Sequence, residues 1–195
     1  MTTANDVALV RNSDFGIAFA RAWLLGELCI LPGLLNTACG AECPWESVGI
    51  RGGPSISHAN HIYSQEEIFS RWNLPWRFSL GHEWEARTRL DASVGCLGGR
   101  GENALVGTVG PEVALKLGKL PVHLEGGVSP TGITRHEFGN TDFGIGVQFT
   151  THVGLEWKFA EHWQMGYRFQ RMSNAGLAHP NPGLNLQMVS FAYAF

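Results

Sequence analysis

Charge is scarce in this chain. Lys and Arg number 14 and Asp and Glu 17 among 195 residues, so only 16% of positions are charged, against a usual quarter. A net charge of −3 with no basic excess excludes a nucleic-acid-binding surface. Beyond position 40 no run of about twenty apolar residues occurs, which excludes a bundle of membrane-spanning helices. The four cysteines contain no C-x-x-C pair and do not read as a zinc site. What is present is glycine, 25 residues, with 44% hydrophobic and 11% aromatic residues, seven of them Trp. Such content is too apolar for a disordered chain. Low charge, many glycines and many aromatics without long apolar runs leave an all-β chain. If that chain resides in a membrane it must close into a barrel, because only closure satisfies every backbone group.

Residues 1–40 differ from the rest. Arg11 and Arg21 precede an apolar stretch, Ala22 to Leu35, interrupted by Glu27 and Pro32, and small residues follow around Ala38 and Gly40. This reads as a secretory leader cut near Gly40, leaving 41–195 as the barrel. A membrane-anchoring or core helix is the competing reading. Asn36, three before Cys39, makes a poor lipoprotein site. The cut removes Cys29 and Cys39. Cys43 and Cys96 remain and can pair in an oxidising compartment, though spacing alone does not decide it.

Strict alternation runs from Phe143 to Phe159. Phe143, Val147, Val153 and Trp157 fall on an apolar face, while Gln148, His152 and Glu156 fall on a polar one. The same pattern sets Trp84, Leu90 and Val94 against Glu85, Arg87, Arg89 and Asp91. A soluble sheet buries its apolar face. Here the polar face is too charged and glycine-rich for solvent decoration. It suits a lumen filled by ion pairs, with the apolar face, including Phe143, towards lipid. Candidate strands fall at about 45–57, 65–73, 82–97, 103–118, 120–128, 143–159, 161–171 and 184–195. That gives an eight-stranded antiparallel transmembrane β-barrel, filled by its own side chains and not a pore. Gly98–Gly101, Ser129–Gly132 and Pro180–Gly183 read as linkers.

Both termini then lie on the periplasmic side, and the seventh strand climbs to the outer leaflet. Its lipid-facing parity carries Trp163, Met165, Tyr167 and Phe169, then Arg171 and Ser173. On the eighth strand Asn185 and Gln187 share a face with Val189, Phe191, Tyr193 and the terminal Phe195. A final aromatic on an alternating strand resembles the assembly signal of outer-membrane barrels. Arg171, Ser173 and Asn185 thus cluster high on the outer wall.

The stretch Tyr167-Arg168-Phe169-Gln170-Arg171-Met172-Ser173-Asn174-Ala175-Gly176-Leu177, followed by Asn181-Pro182-Gly183-Leu184-Asn185, resembles the signature of the PagL family. These are outer-membrane lipid A 3-O-deacylases. The resemblance implies a bacterial outer-membrane location, lipid A or lipopolysaccharide as partner and substrate, no nucleic acid and no cofactor or metal. It implies ester hydrolysis with Ser173 as nucleophile and Asn174 and Gly176 at the oxyanion-hole positions. The family places a histidine where this chain has Arg171 and a glutamate where it has Asn185. Arginine stays protonated and cannot serve as general base. Two functions follow: an impaired lipid A esterase, or an inactive lipid A-binding or structural barrel, in which the Arg171 guanidinium pairs with lipid A phosphate. His179 is the one histidine whose loop can fold back towards Ser173, although it reads as a solvated loop residue. His162 lies at the far end of the strand, and His152 faces the lumen. His58 and His61 read as surface residues.

Overall fold

The computed structural model describes residues 44–56 and 62–195. The leader, Cys43 with its potential pairing, and His58 and His61 lie outside these residues. Eight strands close into an antiparallel barrel: β1 Trp45–Pro54, β2 Tyr63–Gly81, β3 Trp84–Gly99, β4 Glu102–Lys116, β5 Val122–Ile133, β8 Val147–Lys158, β9 Trp163–Ser173 and β10 Leu184–Ala194. Each pairs with the next, and β10 closes on β1 from Ser47↔Ala194 to Gly52↔Val189. A hairpin of two-residue strands, β6 Glu137–Phe138 and β7 Thr141–Asp142, stands in the loop between β5 and β8. No helix among the described residues is long and apolar enough to cross a membrane. The strands are the crossing elements.

Period-two alternation places the charged face inside, as expected. Arg51 meets Glu67 and takes Asp91 by both Nη atoms at 2.7 and 2.8 Å. Arg71 meets Glu156, Glu125 at 2.8 Å and Asp91 at 3.3 Å. Arg89 meets Glu112, with Glu46 at 3.2 Å, Glu125 at 3.2 Å and Glu156 at 3.3 Å. His152 adds a contact to Glu112 at 3.0 Å. Taking a charge out of water costs several kcal/mol per ion, and only dense hydrogen bonding offsets it. Each of these guanidiniums is therefore shared among carboxylates from different sides of the lumen.

The loop-bearing end is filled differently. Tyr63, Leu97, Val106, Phe138, Phe143 and Met172 are buried in an apolar cluster with Leu184, Leu186 and Met188. Tyr63, Phe138 and Phe143 meet edge-on at 5.8–5.9 Å, contacts worth about 0.5–1.5 kcal/mol each beyond burial. Outside, Val147, Val153 and Trp157 are each about half exposed, as a lipid-facing wall requires. At the opposite end, where the C-terminus lies, Trp45 stacks on Phe195 at 5.3 Å and Trp163 on Phe191 at 4.8 Å.

Several boundaries depart from the expected ones. Phe143 does not point outwards. The chain turns at Gly144, φ +87°, before β8 begins at Val147, and Phe143 drops into the mouth of the barrel. Alternation alone did not reveal this, because the loop preserves the parity of the strand. β2 runs to Gly81, passing Pro75 by a register shift between Asn73 and Arg77. The stretch Ser129–Gly132 is strand, not linker. Its Pro130 is tolerated because the β4–β5 ladder opens between Thr108↔Thr131 and Glu112↔Gly127, the interval that also holds Pro111. His82 and Glu83 form a positive-φ turn, so β3 starts at Trp84.

Candidate active site on the outer wall

β9 alternates Met172 and Arg168 inwards with Arg171 and Phe169 outwards, so the pleat itself sets the outward set. Register then fixes the neighbours. Arg171 stands directly opposite Asn185 on β10 and Thr151 on β8, and Ser173 stands opposite Phe149. Arg171 Nη1 donates to Asn185 Oδ1 at 2.9 Å. The guanidinium also lies over Gly183, where an added Cβ would sit 2.6 Å from Nη2. Arg171 and Asn185 are thus brought together, with Ser173 two residues further along the same strand face.

Ser173 is half-buried, and its hydroxyl has no hydrogen-bond partner among the described residues. The chain reverses just after it through Ala175, φ +54°, and Gly176, φ +80°. Asn174 holds that reversal together. It is fully buried, and its Nδ2 lies 2.9 Å from the carbonyl of Phe143, 3.1 Å from that of Ala178 and 3.2 Å from that of Pro180. Its Oδ1 accepts the Gly176 N–H at 2.9 Å, while its own N–H donates to Asn181 Oδ1 at 3.2 Å. The N–H groups of Asn174 and Gly176, the two positions expected to supply an oxyanion hole, are therefore both engaged within the loop. The Ala175 N–H has no partner among the described residues. An oxyanion at Ser173 would have to draw on that group or displace one of the loop's own bonds.

His179 is exposed and makes no hydrogen bond among the described residues. His162 hydrogen-bonds the Ala194 carbonyl at 2.9 Å at the far end of the wall, and His152 sits in the lumen. A further histidine, His136, has a partner that no alternation in the sequence points to. His136 Nδ1 pairs with Asp142 Oδ1 at 2.9 Å across the short hairpin, and Gly144 N–H donates to the same oxygen at 2.7 Å. The His136 ring and that N–H hold the Asp142 carboxyl below the usual carboxylate range. The signal that could have found this pair is the Gly139-Asn140 turn, which folds residues six apart onto each other.

Two groups of side chains stand close enough to share an ion. Glu112, Glu125 and His152 form one, but Arg71 and Arg89 already neutralise its carboxylates. His136, Glu137 and Asp142 form the other, in the loop. Beside the β9–β10 patch, a shallow apolar groove on the same outer wall is lined by Val189, Phe191, Ile50, Ile68 and Val94.

The family model for lipid A 3-O-deacylase (PagL) matches residues 64–194. The lipid A deacylase PagL of Bordetella bronchiseptica is 32% identical over 73 residues, a stretch covering 37% of this chain and 41% of that relative. The crystal structure of the outer membrane enzyme PagL superposes with a TM-score of 0.64 at 17% identity, over 75% of this chain and 97% of that one. That likeness establishes the fold.

Proposed function

The chain belongs to the PagL family of lipid A 3-O-deacylases, and on that premise we propose that it works in the bacterial outer membrane on lipid A, as a strongly impaired esterase. Ser173 takes the nucleophile position towards the 3-linked acyl ester. A serine hydroxyl is a weak nucleophile until a base removes its proton. The observation that carries the reading is the Arg171–Asn185 pair. A guanidinium with a neutral acceptor stands where the family's base and acid would stand, and a guanidinium cannot take a proton. Without that base, a serine site typically loses several orders of magnitude. The groove on the neighbouring wall offers apolar surface to the acyl chains.

A barrel that holds lipid A without cleaving it is the second reading. It is favoured by the same pair, since the Arg171 charge has no carboxylate to neutralise it among the described residues.

Mass spectrometry of lipid A from cells expressing the chain tests the proposal, with Ser173→Ala as control. The expected result is at most a trace of 3-deacylated lipid A that disappears in the Ser173→Ala strain. Extensive Ser173-dependent deacylation would overturn the impairment, and extensive deacylation without Ser173 would overturn the assignment of the nucleophile.

A further inference from the structure

We propose that Arg171 and Asn185 together form a receptor for a lipid phosphate on the outer wall of the barrel. The inference rests on the reading of this patch as the lipid-facing site, and it names the ligand chemistry of that site.

Every guanidinium in the lumen that anchors the ion network meets at least one carboxylate: Arg51, Arg71, Arg89 and Arg168 all do. Even the loop residue Arg135 meets Glu102. Arg77 and Arg100 also lack a carboxylate partner among the described residues, Arg100 donating to Asn140 in a loop, but Arg171 is the one that stands on the lipid-facing wall beside Ser173. Its hydrogen bond goes to the neutral side-chain oxygen of Asn185, and no carboxylate lies within 4.0 Å of it among the described residues. A guanidinium carries five N–H donors in a fixed fork, so most of its donor capacity and all of its charge remain for a ligand.

The group is also held in place. Asn185 faces it across the β9–β10 ladder and fixes Nη1 at 2.9 Å. Gly183 leaves room for the guanidinium where any Cβ would press against it. A pre-positioned fork loses less freedom on capturing an anion than a mobile one does.

The two residues make sense as a pair. With glutamate at 185, Arg171 would form an internal ion pair, and its charge would be cancelled before any ligand arrived. Asparagine keeps a hydrogen-bond acceptor at the same place and leaves the charge uncancelled. Position 171 alone therefore does not make the receptor. The neutral residue at 185 is what exposes the charge.

The surroundings select the ligand. Arg171 is exposed on the lipid-facing wall, where an unpaired charge is unfavourable amid hydrocarbon and favourable at the headgroup level. Thr151 beside it and Ser173 two residues on bring hydroxyls to the same face, while Phe169 and Val153 below it are apolar. An anion with several acceptor oxygens fits a guanidinium fork flanked by hydroxyls, and a lipid phosphate ester is such an anion. Two lipids supply one: the phosphorylated sugar of lipid A and an anionic phospholipid.

The test uses the full purified chain in bicelles of zwitterionic lipid, with folding of each variant checked by heat-modifiable gel mobility. Binding is measured for diphosphorylated lipid A, for lipid A stripped of phosphate, and for phosphatidylglycerol. The wild type should bind the phosphorylated form about tenfold or more tightly than the stripped form. Arg171→Gln should erase the preference, Arg171→Lys should retain part of it, and Asn185→Glu should erase it although Arg171 is still present. Equal wild-type affinity for both lipid A forms overturns the receptor. A preference that survives Asn185→Glu overturns the argument from uncancelled charge. Arg171-dependent binding of phosphatidylglycerol in place of lipid A supports the receptor and assigns it to phospholipid. No acyl release is read here, so failure of this proposal is separable from failure of the esterase reading.

Discussion

Replacing Arg171 by histidine and Asn185 by glutamate should switch hydrolysis on. The backbone already provides the geometry. Positions 171 and 173 share one face of β9, and two residues of strand span about 6.6–6.8 Å, within reach of an imidazole leaning along the strand. Position 185 lies directly opposite 171, and the existing 2.9 Å bond shows that side chains at these positions meet. A glutamate there can hold the imidazole by one nitrogen and leave the other to face Ser173. A positioned general base contributes about 10²–10⁴ in rate, or roughly 3–5 kcal/mol of barrier at 1.36 kcal/mol per decade. An unoriented imidazole recovers only part of this, so Arg171→His alone should fall well short of the double variant. Asn185→Glu alone should gain nothing. The assay is the initial rate of acyl release from purified lipid A in mixed micelles. Activity of the double variant should rise with pH through about 6.5, as the imidazole loses its proton. A folded double variant no faster than wild type would refute the reading that the missing base is what limits Ser173. Robust wild-type turnover abolished by His179→Ala would refute the claim that the base is missing.

Other expectations follow from the wall and its contents. Arg89→Ala leaves Glu112 and its neighbouring carboxylates buried without their cation, and should destabilise the barrel by about 3–5 kcal/mol in urea titrations in lipid vesicles. Val153→Arg puts a charge on the apolar outer face and should cost about 2–4 kcal/mol in the same measurement, whereas a soluble protein would tolerate it at a half-exposed site. Asp142 is held below the carboxylate range by the His136 ring. Its contribution to ordering of the hairpin is therefore present above the unfolded value of about 3.9 and is lost as pH falls through the lower folded one. Limited proteolysis of residues 134–146 should accelerate only below about pH 4, and a rate unchanged down to about pH 2 would refute the role given to the Asp142 carboxylate.

The barrel was legible because its wall separates two environments at every second residue. Trp84, Leu90 and Val94 against Arg87, Arg89 and Asp91 can be read in only one way once the polar face is too charged for solvent. The outward placement of Arg171 and Asn185 followed from the same parity and from pairing that begins one residue away, at Leu184↔Met172. What parity could not reveal is where a strand stops being one. Phe143 keeps step with Val147 in sequence, yet a positive-φ glycine lies between them and sends it inwards. Pro130 looked like a breaker because its effect depends on a gap in the neighbouring ladder, a property of two strands and not of one. His136 and Asp142 were missed for a related reason: their pairing belongs to a hairpin whose strands are two residues long, too short to carry any period.

The shared guanidiniums of the lumen have a consequence for how the protein can change over time. Arg71 on β2 and Arg89 on β3 each meet carboxylates from β4, β5 and β8, so an alteration at either is coupled to several strands at once. Arg171 and Asn185, on the other side of the same sheet, meet each other across one pair of strands. The thickness of a single β-wall thus separates a highly coupled interior from an outer patch whose polar groups are coupled only locally. Chemistry on the outer face can be exchanged two residues at a time, as proton transfer for charge recognition, while the scaffold beneath it stays the same.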